Sequence, residues 1–217
     1  MCFSPTVSFI AGGALVGVGV ATNRLSKTRA EKLFSFSPFI FAAQQFFEGM
    51  LWMVLLGRWP QVLKMFSITG FLTIAILILP VFVPLIAYLF ERNKFIKKIL
   101  LVFLVGGVLF STTMLFLYLN GNIGAEILNL RINYYTSSIP ISAFGFDLIE
   151  IFYLLLVAFP FLISSDRKLK IGGLFIFTAY MFTKYFYAEV FLSVWCFFAA
   201  VGSVGIYFYI RSRNKQG

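Results

Sequence analysis

FLTIAILILPVFVPLIAYLF, residues 71–90, runs into ERNKFIKK, residues 91–98, and then into ILLVFLVGGVLFSTTMLFLYL, residues 99–119. Each apolar run is near the ~20 residues that cross ~30 Å of hydrocarbon at about 1.5 Å per residue. The break between them gathers Arg92, Lys94, Lys97 and Lys98, and short cytoplasmic loops are where such charge concentrates. The stretch therefore predicts two antiparallel transmembrane helices joined on the cytoplasmic side.

Working outward, similar apolar segments fall at 5–22, 33–56, 66–90, 99–119, 140–163, 171–187 and 189–210. The basic residues between them alternate in density. Arg24, Lys27, Arg29 and Lys32, then Arg167, Lys168 and Lys170, then Arg211, Arg213 and Lys215 join the 92–98 group on one side. Only Arg58, Lys64, Arg131 and Lys184 fall on the other. This alternation predicts an all-α integral membrane protein: one seven-transmembrane-helix bundle over residues 1–217, N-terminus outside, C-terminus cytoplasmic.

Composition agrees. Hydrophobic residues make up 60% of the 217 and charged residues 12%, against roughly 45–50% apolar content in a soluble domain. The net charge of +10 sits in short loops and the tail, without the basic patch of a nucleic-acid binder. The partners it implies are membrane lipids, not nucleic acid. The run from Phe9 to Ala21 lacks the positive leader of a signal peptide and reads as a retained first helix.

Ser4-Pro5 is a helix start, a side-chain acceptor followed by a residue with no N–H. Ser37-Pro38, Pro80, Pro84 and Pro160 should kink or break their helices. Gly13 and Gly17, with Gly12, Ala14 and Gly19 beside them, form a small-xxx-small stripe expected to pack closely inside the bundle. Residues 171–210 exceed one crossing and should turn near Lys184 to Glu189. The longest outer loop, 120–139, holds Asn120-Gly121-Asn122, Arg131 and Tyr134-Tyr135. It reads as an interfacial loop or a partial lid.

The chain contains no histidine. That excludes Ser-His-Asp and Cys-His nucleophiles, histidine-bound zinc and histidine-bound haem. A retinal Schiff base would need a mid-membrane lysine, and Lys184 sits near a helix end, where it is expected to snorkel to the interface. No phosphate-cradling glycine loop, Cys-x-x-Cys pair or calcium loop occurs, so no cofactor is implied.

What remains is a set of polar residues inside apolar segments. Glu48, Asp147 and Glu150 are carboxylates within predicted spans, and a charge there costs at least ~2.5–3.5 kcal/mol unless it pairs or protonates. Gln44, Gln45, Glu48 and Trp52 share one helix face. Asp147 and Glu150 share another, and two close carboxylates in low dielectric would leave at least one protonated. Counted from the outer helix ends, Glu48, Asp147, Glu150 and Cys196 lie roughly 10–15 Å deep, with Cys2 at the outer mouth. These residues predict a polar pocket open to the outside, holding a small solute, an ion or a proton. Their alternative role is to tie the bundle together with interhelical hydrogen bonds. Cys2 and Cys196 are candidates for a disulfide or, with Glu48, a soft-metal site. Otherwise each is a small apolar core residue.

Two helix pairs echo one another: Phe39-Ile40-Phe41-Ala42-Ala43 matches Phe175-Ile176-Phe177-Thr178-Ala179, and Pro5 with Phe9 matches Pro140 with Phe144. A parallel three-plus-one-plus-three plan of this kind resembles the SWEET and PQ-loop transporters and the KDEL receptor in architecture. The Pro-Gln dipeptide of the PQ-loop family is missing. A closer resemblance rests on Met1-Cys2-Phe3-Ser4, on Gln44-Gln45-Phe46-Phe47-Glu48-Gly49 leading to Trp52, and on Ser193-Val194-Trp195-Cys196-Phe197-Phe198-Ala199-Ala200. These segments resemble a family of uncharacterised bacterial membrane proteins, DUF6629. The resemblance implies a multi-pass protein of the bacterial inner membrane and supplies no activity. Three function classes stay open: transport of a small solute or ion through a carboxylate-lined pocket, a binding, sensory or assembly protein, and a cysteine-dependent membrane enzyme or redox protein.

Overall fold

The computed structural model describes residues 4–128, 131–136 and 148–215. Cys2, Asp147 and the first part of the predicted fifth helix lie outside the described residues.

Ser4 accepts a hydrogen bond from the Val7 amide and Pro5 opens helix α1, Pro5–Leu25, as its sequence predicts. Its buried face is Ser8, Gly12, Leu15, Gly19 and Thr22, a three-four spacing that lays one stripe against a neighbouring helix. The neighbour is α3, Ser37–Leu55, reached through a short α2, Arg29–Phe34, with a Thr28/Glu31 capping box. A Cβ on Gly12 would meet the Ala42 carbonyl and the Phe46 ring at 3.3 Å, and one on Gly19 would come within 2.8 Å of Phe39. Gly13 and Gly17, the expected contact pair, face away with nothing within 4 Å. The correction is one of phase: the packing stripe runs one residue earlier, because Leu15 and Ser8 fix which side of α1 is buried.

The next pass is built in three parts: α4, Leu63–Leu72, a π-helical stretch Thr73–Ile78, and α5, Leu79–Phe90. Pro80 has no N–H to give, and the turn before it widens to the π form. Two loosened carbonyls are recaptured by other helices. Ser111 of α6, Lys94–Leu119, donates to the Leu77 carbonyl at 2.8 Å. Tyr153 of α7, Leu148–Val157, donates to the Ala75 carbonyl at 2.5 Å. Gly107 of α6 lies directly on the Pro80 carbonyl, where a Cβ would come to 2.1 Å. Helix α7 breaks at Ala158 ahead of Pro160 and resumes as α8, Phe159–Ile163. Then α9, Arg167–Phe186, turns through a 3-10 segment, Ala188–Val190, into α10, Phe191–Asn214. That reversal falls where the sequence expects it.

The loop after α6 is not irregular. It is an antiparallel hairpin of β1, Ile123–Leu128, and β2, Arg131–Thr136. Its residues Ala125, Ile132 and Tyr134 are buried with Leu51, Trp52, Phe71 and Cys196. The alternation of apolar and polar residues on β2 directs one face onto the helix ends.

Four helical stretches among the described residues are long and apolar enough to cross a membrane: Pro5–Leu25, Leu63–Phe90, Lys94–Leu119 and Ala188–Asn214. At the end opposite the hairpin, the element termini are tied together by polar contacts. Arg213 pairs with Glu31 at 3.5 Å and Asp166 at 3.7 Å, and Asn214 donates to the Leu25 carbonyl at 2.7 Å. Glu91 accepts from the amides of Arg92, Asn93 and Ser165 at 2.9, 2.8 and 2.7 Å. Burial alone would raise the Glu91 carboxyl, but these backbone donors outweigh it and hold the group below its usual range.

Candidate functional site

Helix α3 is the most enclosed of the bundle, with α1, α4 and α10 packed around it. Its polar face is therefore the bundle's interior. Gln44, Gln45, Glu48 and Trp52 are all buried, with 0% to 3% of their surface exposed. Glu48 accepts a hydrogen bond from the Ser193 hydroxyl of α10. Cys196, one turn further along α10, is buried within electrostatic reach of Glu48 and faces Gln44. Above them the hairpin closes the end of the bundle. Tyr134 stacks flat on Phe71 with ring centres 4.5 Å apart, and the Arg131 guanidinium lies 4.5 Å over the Tyr187 ring.

The interior is polar beyond what its own bonds use. The Gln45 Nε2 and the Trp52 Nε1 are buried without acceptable hydrogen-bond geometry among the described residues, and the Gln44 amide lies against the Cys196 thiol. An orphaned buried group of this kind costs about 1–3 kcal/mol. Native interiors keep such groups few, and a cluster of them calls for a bound water, ion or solute.

The second acid sits differently. Glu150 on α7 pairs with Lys184 of α9 at 2.6 Å, with 19% and 18% of their side-chain surfaces exposed. Lys184 thus does not snorkel outward as the sequence suggests; a carboxylate in a weakly polar setting is the stronger attraction. That cation gives Glu150 a partner of opposite charge, and the proton sharing expected with Asp147 lies outside the described residues. Tyr180, fully buried on α9, lies beside Glu150. Its ring packs edge-on against Phe191 at 5.0 Å and Trp195 at 5.6 Å. The Tyr180 hydroxyl lies within reach of the Glu150 carboxyl, while the Thr183 hydroxyl and the indole nitrogen of Trp195 lack acceptable hydrogen-bond geometry among the described residues.

Of the residues singled out by sequence, the structure thus gathers Gln44, Gln45, Glu48, Trp52 and Cys196, and seats Glu150 apart with Lys184. Helix α10 contributes to both, with Ser193 and Cys196 beside α3 and Trp195 against Tyr153 of α7 and Tyr180 of α9. Among the described residues Glu48 and Glu150 have different partners, Ser193 for one and Lys184 for the other. Asp147 and the Cys2–Cys196 pairing lie outside the described residues. Among the described residues no three His, Cys, Asp or Glu side chains meet in a way that could hold a metal ion. Sequence reasoning named Ser193 only within the DUF6629-like segment, without a role, and missed Tyr180 and Thr183, because hydroxyls in an apolar helix carry no signal until their neighbours are known.

The family model of DUF6629, a family of unknown function, matches residues 1–217. This chain belongs to DUF6629. No curated protein and no solved structure matches it. Two of the segments that carry the DUF6629 resemblance, 44–52 and 193–200, are far apart in the chain and meet in this interior. The Glu48–Ser193 bond joins them, with Cys196 beside Gln44 and packed in one cluster with Trp52.

Proposed function

We propose that this DUF6629 protein is a seven-pass protein of the bacterial inner membrane that binds a small polar solute and carries it across. The site is the α3–α10 interior beneath the hairpin. The observation that carries the reading is the set of orphaned polar atoms around Glu48, under a cover made of two strands and not of a helix end. Those atoms are the N–H donors of Gln45 and Trp52, and the Gln44 amide and the Glu48 carboxyl complete the lining. Amide and indole N–H groups around a carboxyl suit a small polar solute that presents both acceptors and donors.

The seven passes draw support from the ends. The termini of α1, α5, α8 and α10 meet on the basic face, and the hairpin lies on the other. The positive-inside rule makes the basic face cytoplasmic and the hairpin external. On that topology α3 and α9 also cross, although Gln44, Gln45 and Glu48 lower the hydropathy of α3.

Uptake into proteoliposomes tests the reading, with amino acids, sugars and carboxylates as labelled probes. Wild-type protein should take up at least one of them, and Glu48→Gln and Gln45→Leu should fold and lose that uptake. A folded Glu48→Gln with wild-type uptake would overturn it.

A packing or assembly role is the second reading, favoured by the local pairing of Glu48 with Ser193 and of Glu150 with Lys184. Under it Gln45→Leu removes an orphaned amide from an apolar interior, and the protein becomes more heat-stable with nothing else lost. The thiol-dependent reading has no comparable support, since Cys196 is buried.

A further inference from the structure

The basic end of the bundle holds a cavity of about 620 Å³, well away from Glu48. Its walls are Phe41, Leu79, Val83, Phe161, Phe175 and Ile206, from α3, α5, α8, α9 and α10. Its rim on α9 and α10 includes Ile171 and Phe208, exposed by 60% and 61%. Gly172 and Gly205, one on each helix, also line it, and a Cβ on either would meet nothing within 4 Å. The cavity is thus a slot that opens sideways between two helices, toward what the membrane reading makes the lipid phase. If a methylene fills the ~30 Å³ of a liquid water, the slot takes about twenty, one full acyl chain.

An acyl chain gains little by leaving other chains for an apolar slot, since lipid tails are as apolar as leucine. Selection must therefore come from the mouth. Lys168 and Ser212 line the slot there, and the Lys168 Nζ donates to the Ser212 Oγ at 2.7 Å. Lys168 has no carboxylate within salt-bridge distance among the described residues. The nearest acid in sequence, Asp166, is already taken by the amides of Lys168 and Leu169, the Tyr209 hydroxyl and Arg213. Arg167, Lys170 and Arg211 add positive charge on the same two helices.

We propose that this slot binds one acyl chain of an anionic phospholipid, with Lys168 and Ser212 holding the phosphate of its headgroup. The proposal rests on the membrane reading alone and is independent of the solute site.

The test is thermal unfolding of the full chain in neutral detergent, titrated with phosphatidylglycerol, phosphatidylcholine or inorganic phosphate. Wild-type protein should be stabilised by phosphatidylglycerol at about fivefold lower concentration than by phosphatidylcholine, the preference expected of one lysine at a headgroup. Inorganic phosphate should give no shift. Lys168→Gln should lose the preference and keep the response to both lipids. Gly205→Leu, which fills the slot from an unobstructed position, should lose the response to both. Equal midpoints for the two lipids in the wild type, a preference retained in Lys168→Gln, or a phosphate shift matching that of the lipid would each overturn it. Should Gly205→Leu fail to fold, Lys168→Gln still decides the headgroup contact and Gly172→Leu fills the slot from its other wall.

Discussion

The Glu48–Ser193 bond can be weighed by a double-mutant cycle, because each partner has a conservative replacement. Ser193→Ala removes the hydroxyl donor and leaves a carboxylate in the interior with one hydrogen bond fewer. A bond to a charged group contributes about 1.5–3 kcal/mol, and one between neutral groups about 0.5–1.5 kcal/mol. Glu48→Gln keeps an acceptor for Ser193 and removes the charge that an ionised acid carries there, which on the seven-pass reading costs at least about 2.5–3.5 kcal/mol to bury. The Glu48→Gln protein should therefore be as stable as the wild type or more so. Ser193→Ala should lose about 1.5–3 kcal/mol, which for a chain of this size is roughly 3–12 °C of melting temperature at about 2–4 °C per kcal/mol. In the Glu48→Gln background the same serine change should cost about 1 kcal/mol less, and that difference is the coupling. The assay is thermal unfolding in one detergent at neutral pH. An identical loss in both backgrounds would mean that the Ser193 bond gains nothing from a charge at position 48, and the reading of Glu48 as an ionised acid at the α3–α10 site would be refuted.

Three further outcomes follow from the fold. Tyr153→Phe orphans the Ala75 carbonyl and should cost about 1–3 kcal/mol, with faster amide exchange at residues 73–79; unchanged exchange there would show that the π-helical stretch does not need the tyrosine. Gly107→Ala drives a Cβ into the Pro80 backbone and should cost about 1–3 kcal/mol as α5 and α6 separate, whereas Gly13→Ala, with open space around it, should be neutral or gain up to about 1 kcal/mol of helix propensity; equal melting temperatures for the two would refute the packing described. Because backbone donors hold Glu91 below its usual range, its contribution is present above roughly pH 4.3 and lost as pH falls through the lower folded value. Glu91→Gln should therefore flatten the acid side of a melting-temperature profile, and superimposable profiles would remove Glu91 from the clamp.

Much of the helical plan is legible in sequence because period and length act locally. Apolar runs set where the helices lie, Ser4-Pro5 sets where the first begins, and Pro80 and Pro160 mark where two are interrupted. The hairpin was not legible. Residues 123–136 are a short alternating run whose strand identity depends on burying Ala125, Ile132 and Tyr134 against helix ends that the local sequence does not contain. The glycine stripe failed for a similar reason: Gly13 and Gly17 have the spacing, but spacing does not say which side of α1 meets α3.

The polar residues divide along the same line. Gln44, Gln45, Glu48 and Trp52 could be placed together from one helix, because i, i+4 and i+8 positions share a face whatever surrounds it. Their relation to Glu150 depended on which way α10 turned, and helix spacing is silent on that. Depth put Glu48 and Glu150 at one level, but level is not contact. Among the described residues each acid has a different partner, Ser193 of α10 for Glu48 and Lys184 of α9 for Glu150. A site built on a shared pair of acids would be judged by how the two titrate together. A site built on Glu48 alone must be judged by what its orphaned amide and indole neighbours bind. The decisive residues are then Gln45 and Trp52: they carry no charge, so the cost of burying them falls only when something supplies the missing acceptors.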